Sequence, residues 1–269
     1  MASDKAFRDE ETAYHALKKK LGLENRDVFQ QPAGADAGFP DFGFTLSLPK
    51  GKVDLHIEYK NSSTAQMGSM RDWIFNGDTF STNDKNNEEK VALLYIMNNT
   101  QTAIVNGKRL LKDLQIYATK DIKTISSGSM TIIKDQALRR AALVSFANST
   151  KNYQIANISD TTLGNGILTH YKKKFSKSKN MTRAKGHVLL MMIKDEIWYV
   201  DKSGVDDQTM KQISSLLGVR TINKLSGLNA NLEVRIQPRG LSSPNKPVSI
   251  DVMASFRLKG KPTSGVKVI

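Results

Sequence analysis

Residues 40–60 read PDFGFTLSLPKGKVDLHIEYK, and their reading decides the fold. Phe42, Phe44, Leu46 and Leu48 alternate with Asp41, Gly43, Thr45 and Ser47, and Val53, Leu55, Ile57 and Tyr59 alternate with Asp54, His56, Glu58 and Lys60. Side chains of a strand point to opposite faces in turn, so a period of two marks a strand with one apolar face. Two such runs around Pro49-Lys50-Gly51-Lys52 predict a β-hairpin with a four-residue turn. Paired positions then sum to 101, so that Leu48 faces Val53, Leu46 faces Leu55, Phe44 faces Ile57 and Phe42 faces Tyr59. Every apolar residue meets another, which is how register is normally specified. On the other face Asp41 falls across from Lys60 and Gly43 across from Glu58, with His56 and Asp54 further along.

Upstream, an amphipathic helix is predicted over residues 4–21, capped by Ser3 or Asp4 and stopped at Gly22. Phe7, Tyr14, Leu17 and Leu21 form its stripe, and Glu10 falls in the middle of that stripe. A carboxylate there is uncommon without a partner. Residues 30–39 (QQPAGADAGF) read as loop, with Asp36 an alternative acid to Asp41. Downstream, residues 62–76 read as a short helix, 91–97 as a buried strand and 102–105 as a second apolar run; 110–117 suits helix or strand. A boundary is placed at Ser126, and residues 134–147 read as a helix. In the second half, 187–193 and 196–200 form a hairpin turned at Lys194-Asp195, 208–217 a helix, and 232–237 and 249–259 strands.

The chain has 269 residues, and a net charge of +14 is unevenly spread. Residues 1–150 hold 20 Lys and Arg against 18 Asp and Glu, whereas residues 151–269 hold 20 against 8. Such a surplus suits a polyanionic partner, because each phosphate contact releases condensed counterions. Lys172, Lys173, Lys174, Lys177, Lys179, Arg183 and Lys185, interleaved with Tyr171 and Phe175, read as a loop that contacts nucleic-acid backbone. The absence of cysteine excludes disulfides, thiolate metal sites and cysteine nucleophiles, and suits the cytoplasm. The charged first twenty residues do not read as a signal peptide, and no apolar run is long enough for a membrane span.

Pro40-Asp41, sixteen residues, then Glu58-Tyr59-Lys60 resembles the signature of the PD-(D/E)XK nuclease superfamily, which includes restriction endonucleases, junction resolvases and phage exonucleases. The resemblance implies an α/β fold: a restriction-endonuclease-like mixed-sheet core of order α-β-β-β-α-β at residues 1–125, followed by a basic α+β region at 126–269. It also implies hydrolysis of DNA phosphodiesters with Mg²⁺, for which Mn²⁺ can substitute, and a homodimer in the manner of enzymes that cut two strands. Asp41 and Glu58 would hold the metal, Lys60 would act on the attacking water, and Glu10 would add a carboxylate from the helix. Gln66 stands where some members carry a helix glutamine, but Met70 departs from their tyrosine.

The chemistry stands beside the resemblance. Two carboxylates on neighbouring strands can hold a hard dication and leave positions for water and phosphate oxygen. Glu58 and Lys60 share a face because i and i+2 point the same way. Gly43 opposite Glu58 would leave room for metal and phosphate, and His56 would reach substrate. The alternatives are a solvated outer sheet face carrying the same residues, a nuclease-like fold that only binds nucleic acid, and a basic module for an acidic protein. RNA stays open as a substrate.

Overall fold

The computed structural model describes residues 4–32, 40–71, 73–83, 94, 95, 97–115, 125, 126, 137, 140, 141, 144, 154–239 and 249–268. The chain divides into two compact units. The first holds Met1–Ala65, Thr161–Ala230 and Leu258–Ile269, and the second Gln66–Asp160 and Asn231–Arg257. The boundary expected at Ser126 therefore falls inside the second unit.

The first unit opens with α1 (Asp4–Lys20), which ends as anticipated at Gly22. The Leu23 N–H bonds the Lys18 carbonyl and the Gly22 N–H the Lys19 carbonyl, the paired bonds of a Schellman turn, with Gly22 at φ 65°. Then follow β1 (Val28–Gln30), β2 (Phe42–Leu48) and β3 (Gly51–Lys60). The hairpin forms, but its turn is the two residues Pro49-Lys50, with Leu48 paired to Gly51, Leu46 to Val53, Phe44 to Leu55 and Phe42 to Ile57. Gly51 and Lys52 lengthen the strand instead of the turn. The shift from the expected register is two residues, so every side chain keeps its predicted face. It does move Gly43 from Glu58 to His56.

A six-stranded mixed sheet is completed by β9 (Gly186–Ile193), β10 (Glu196–Ser203) and β13 (Val266–Lys267), in the order β1-β2-β3-β9-β10-β13. The β9–β10 hairpin turns at Lys194-Asp195 as expected. Strands β3 and β9 run parallel from the Val53–Gly186 pair to the Lys60–Ile193 pair. A parallel pair needs a crossover, and the helix Thr161–Ser178 precedes β9. Residues 53–58 of β3 and all of β9 are buried, so both faces of the sheet centre are covered. On one face lies the core: Tyr14 stacks on Phe44 at 5.4 Å and meets Phe42 edge-on at 5.7 Å, with Leu17, Val53, Leu55, Ile57, Val188, Leu190 and Met192 around them. Each such aromatic pair adds about 0.5–1.5 kcal/mol beyond its burial. Residues of opposite parity, among them Asp54, His56 and Glu58, face the other way.

The second unit contains β4 (Gln66–Arg71), β5 (Trp73–Phe75), β6 (Phe80–Thr82), β7 (Ile125–Ser126), β8 (Gln154–Asp160), β11 (Ala230–Arg239) and β12 (Ser249–Leu258). They form a four-stranded sheet β4-β12-β11-β8 and a three-stranded sheet β6-β5-β7. The helix expected over 62–76 is instead β4 and β5: alternating Trp73 and Phe75 are buried, which a strand achieves and a helix would not. The strand expected over 91–97 is helical at residues 94, 95, 97 and 98. The apolar run at 102–105 lies within α2 (Gln101–Gln115).

Candidate active site

The site is laid out by the alternation of β3. Asp54, His56, Glu58 and Lys60 share one face, and the helix α3 (Thr161–Ser178) covers it. Among the described side chains of α3, Ile167, Leu168, Tyr171, Phe175 and Ser178 are buried, spaced at three and four residues as one helical stripe requires. Lys174 lies on the same stripe and is mostly buried. The loop expected over 172–185 is thus helix for its first half, followed by a 3₁₀ turn at Lys179–Met181.

Asp41 stands one residue before the β2 ladder begins, so it lies beside the end of β3 and not in a paired position. Its Oδ2 accepts a hydrogen bond from the Tyr59 N–H at 2.7 Å. The chain leading into it is tied to β1 by the Gln30 side-chain amide, which donates to the Pro40 carbonyl. Lys60 Nζ donates to Glu58 Oε1 at 2.7 Å and lies 3.7 Å from Asp41 Oδ2. Lys174 Nζ is 3.9 Å from Glu58 Oε2. The Tyr171 ring lies beneath both ammonium groups, 5.8 Å from Lys60 Nζ and 5.4 Å from Lys174 Nζ, and its hydroxyl bonds Glu58. Glu58 is 2% exposed, and its Oε2 has no hydrogen-bond partner among the described residues.

Crowding two carboxylates in a dry setting has the expected electrostatic result. Burial, and then the charge of Glu58, push the Asp41 carboxyl up to about 6, against the pull of Lys60, the Tyr59 N–H and Lys174. For Lys60, burial works against the charge, but Asp41 and Glu58 outweigh it and hold the ammonium well above its ordinary value. Burial also keeps the Tyr171 phenol protonated, with Glu58 and Asp41 adding to the effect. The cluster pairs two carboxylates with two lysine side chains. Glu58 Oε2 is met only at ion-pair distance, by Lys174, among the described residues.

Asp41, Glu58 and Lys60 are brought together as the sequence leads one to expect. Glu10 is buried in α1, and its charge adds to burial, Asp9 and Asp195 in raising the phenol of Tyr59, a side chain of the opposite face of β3. Gly43 leaves no room for metal or phosphate, because the Phe29 ring fills the space a Cβ would take and lies 4.9 Å from the His56 ring. His56 is fully buried and enclosed by Phe29, Phe175 and His187, so it does not reach outward to a substrate. Gln66 is an exposed residue of β4 in the second unit, on a strand and not a helix. Asp36 lies outside the described residues.

Of the basic residues, Lys174 alone enters the cluster. Lys172, Lys173 and Lys177 occupy the exposed side of α3, Arg183 and Lys185 are exposed beyond the 3₁₀ turn, and Lys179 Nζ lies 5.7 Å over the Phe175 ring. Sequence reasoning missed Tyr171, Ser178 and His187 as members of this face. The spacing of Ile167, Leu168, Tyr171 and Phe175 is the signal that would have found the first two. No helix among the described residues is long and apolar enough to cross a membrane. Comparison with family models, curated proteins and solved structures returns no match for this chain.

Proposed function

We propose that this chain is a metal-dependent nuclease that hydrolyses DNA phosphodiesters, with Asp41 and Glu58 as Mg²⁺ ligands and Lys60 beside them, on a restriction-endonuclease-like core. The observation that carries this reading is the convergence of Asp41, Glu58 and Lys60 around a buried carboxylate oxygen, Glu58 Oε2, that lacks a hydrogen-bond partner among the described residues. Such an oxygen costs stability unless a cation or donor meets it, and an oxygen-only donor set suits Mg²⁺, with Mn²⁺ a working substitute. The order α1, β1, β2, β3, α3, β9, with β9 parallel to β3, is in keeping with an α-β-β-β-α-β core interrupted by an inserted unit. The charge balance points the same way. Two carboxylates and two ammonium groups sum to zero, so a bound dication leaves the pocket positive and ready for an anionic phosphodiester.

A cation held at Asp41 and Glu58 supplies an acidified water and a counter-charge for the scissile phosphate. The chain's own residues do the rest. Lys60 stays protonated, so it does not take the water's proton; it donates hydrogen bonds and places fixed positive charge beside the phosphate. Tyr171 holds Glu58 by a hydrogen bond and supports Lys60 and Lys174 on its ring face. Lys172, Lys173 and Lys177, exposed on the same helix, would follow the phosphate backbone.

One observation favours a second reading, a nuclease-like module that binds DNA without cutting it. Lys60 and Lys174 already counter the carboxylates in the absence of metal. One experiment separates the two: incubation of supercoiled plasmid with wild type, Glu58→Gln and Lys60→Met in Mg²⁺ or EDTA, with binding followed in parallel. The expected result is metal-dependent nicking or linearisation that falls at least about 100-fold in both variants, while binding stays within a few-fold. Wild-type protein that binds DNA but leaves it intact in Mg²⁺ and in Mn²⁺ would establish the binding module instead.

A further inference from the structure

Two strand positions back from Glu58, the same face carries a different set of donors. Asp54, His56 and His187 are 1%, 0% and 6% exposed, and one ligand atom of each lies within 4.8 Å of the others. Asp54 and His187 are direct partners across the parallel β3–β9 pair, which fixes them side by side on this face. His56 Nε2 lies 3.3 Å from His187 Nδ1, and His187 Nδ1 lies 3.8 Å from Asp54 Oδ2.

The outward atoms of Asp54 and His56 are already engaged. Asp54 Oδ1 accepts from the Thr45 hydroxyl at 2.6 Å, and His56 Nδ1 bonds the Ser178 hydroxyl at 2.9 Å. Asp54 Oδ2 is buried without a hydrogen-bond partner among the described residues, and it faces two imidazole nitrogens. A network of hydrogen bonds alone leaves that oxygen's loss of hydration unanswered. Hydroxyls of Thr45 and Ser178 holding the far sides of Asp54 and His56 are the supporting shell that bound metals have. The Phe29 and Phe175 rings wall the cluster, 4.9 and 5.1 Å from His56.

We propose that Asp54, His56 and His187 form a transition-metal site, separate from Asp41 and Glu58, that takes Zn²⁺ or a dication of similar preference. Two imidazoles and one carboxylate select such ions over Mg²⁺, which favours oxygen alone. Ligands about 2.0–2.1 Å from a tetrahedral Zn²⁺ stand about 3.3 Å from one another. The two imidazole nitrogens already keep that separation, and Asp54 Oδ2 is about 0.5 Å further out. Because the site joins β3 to β9 and is closed over by α3, its part is structural: a brace across the sheet. It does not depend on the nuclease reading.

The test uses the full chain without an affinity tag, stripped with EDTA and dialysed, then titrated with Co²⁺ and back-titrated with Zn²⁺. Wild type should develop visible d–d bands at one equivalent, lose them to Zn²⁺, and melt at a higher temperature with Zn²⁺. Glu58→Gln should behave as wild type. Asp54→Asn and His187→Gln should bind Co²⁺ at least about 100-fold more weakly, with circular dichroism as the control for folding. If those variants do not fold, the Cu²⁺-loaded wild type decides, since two coordinated imidazoles give nitrogen hyperfine structure in its electron paramagnetic resonance spectrum. Wild type without bands and without a melting shift overturns the proposal. So do bands that vanish in Glu58→Gln, or a Cu²⁺ spectrum without nitrogen coupling.

Discussion

Lowering the pH should pull the stability of the first unit in two opposite directions, and single substitutions should expose each. Burial, with the charge of His187 added, pushes the His56 imidazole down to about 3 from an ordinary 6.5. Below pH 6.5 the unfolded chain takes up a proton that the folded chain refuses, so His56 costs stability as pH falls from 6.5 towards 3. Asp41 has the reverse sign. Its carboxyl is raised to about 6 from 3.8, so the fold takes up a proton first and gains stability as pH falls through 6 towards 3.8. Between pH 7.5 and 5, at about 1.36 kcal/mol per pH unit, the His56 effect is a loss of about 2 kcal/mol and the Asp41 effect a gain of about 1.4 kcal/mol. Wild type should therefore lose only about 0.6 kcal/mol from this pair. Asp41→Asn should lose about 2 kcal/mol over the same range, and His56→Gln should gain about 1.4 kcal/mol, whatever constant offset each substitution brings. The assay is equilibrium urea unfolding at pH 7.5, 6.25 and 5 in EDTA, comparing slopes against pH and not absolute stabilities. Parallel pH profiles for the three proteins would refute the assignment of either titration.

Two further outcomes follow from particular side chains. Gly43→Ala should destabilise the fold by about 1–3 kcal/mol in thermal or urea unfolding, because its methyl displaces the packed Phe29 ring; Phe29→Leu in the same background should recover part of the loss. For DNA binding, replacing Lys172 and Lys177 with Ser should lower the slope of log K against log salt by up to about 0.9 for each phosphate that these lysines neutralise. An unchanged slope would remove the outer side of α3 from the DNA interface.

The hairpin faces could be read from the sequence because the alternation of residues 42–48 and 53–60 survives an even shift in register. The turn length could not: Pro49-Lys50-Gly51-Lys52 has turn composition throughout, and only pairing with Ser47 and Leu48 draws Lys52 and Gly51 into the strand. That Asp41, Glu58 and Lys60 meet followed from the alternation and from the nearness of Asp41 to the strand end. That they are buried did not, since Asp54, His56, Glu58 and Lys60 in alternation look like a solvated face until something covers it. The cover, α3, begins 101 positions after Lys60, and its lysines disguise the Tyr171–Phe175 stripe beneath them. His187 heads a strand buried along its whole length, and nothing local reveals that its neighbour across the sheet is Asp54. Trp73 and Phe75 were hidden differently, because a mixed polar run over 62–76 suits a helix until its pairing partners are known.

The parallel pairing of β3 with β9 also bears on how this protein is made. Val53 meets Gly186, and Lys60 meets Ile193, across more than a hundred residues of intervening chain. On the ribosome the hairpin is complete long before its neighbour exists, and at about 5–20 residues per second that interval is on the order of ten seconds. During it β3 offers an open edge with apolar residues on one side and Asp54, His56 and Glu58 on the other. Those polar side chains are a protection in the nascent chain, since they keep the exposed face wet until α3 and β9 arrive to enclose it. The residues assembled into the candidate sites of the finished protein thus serve first as gatekeepers against edge-to-edge association.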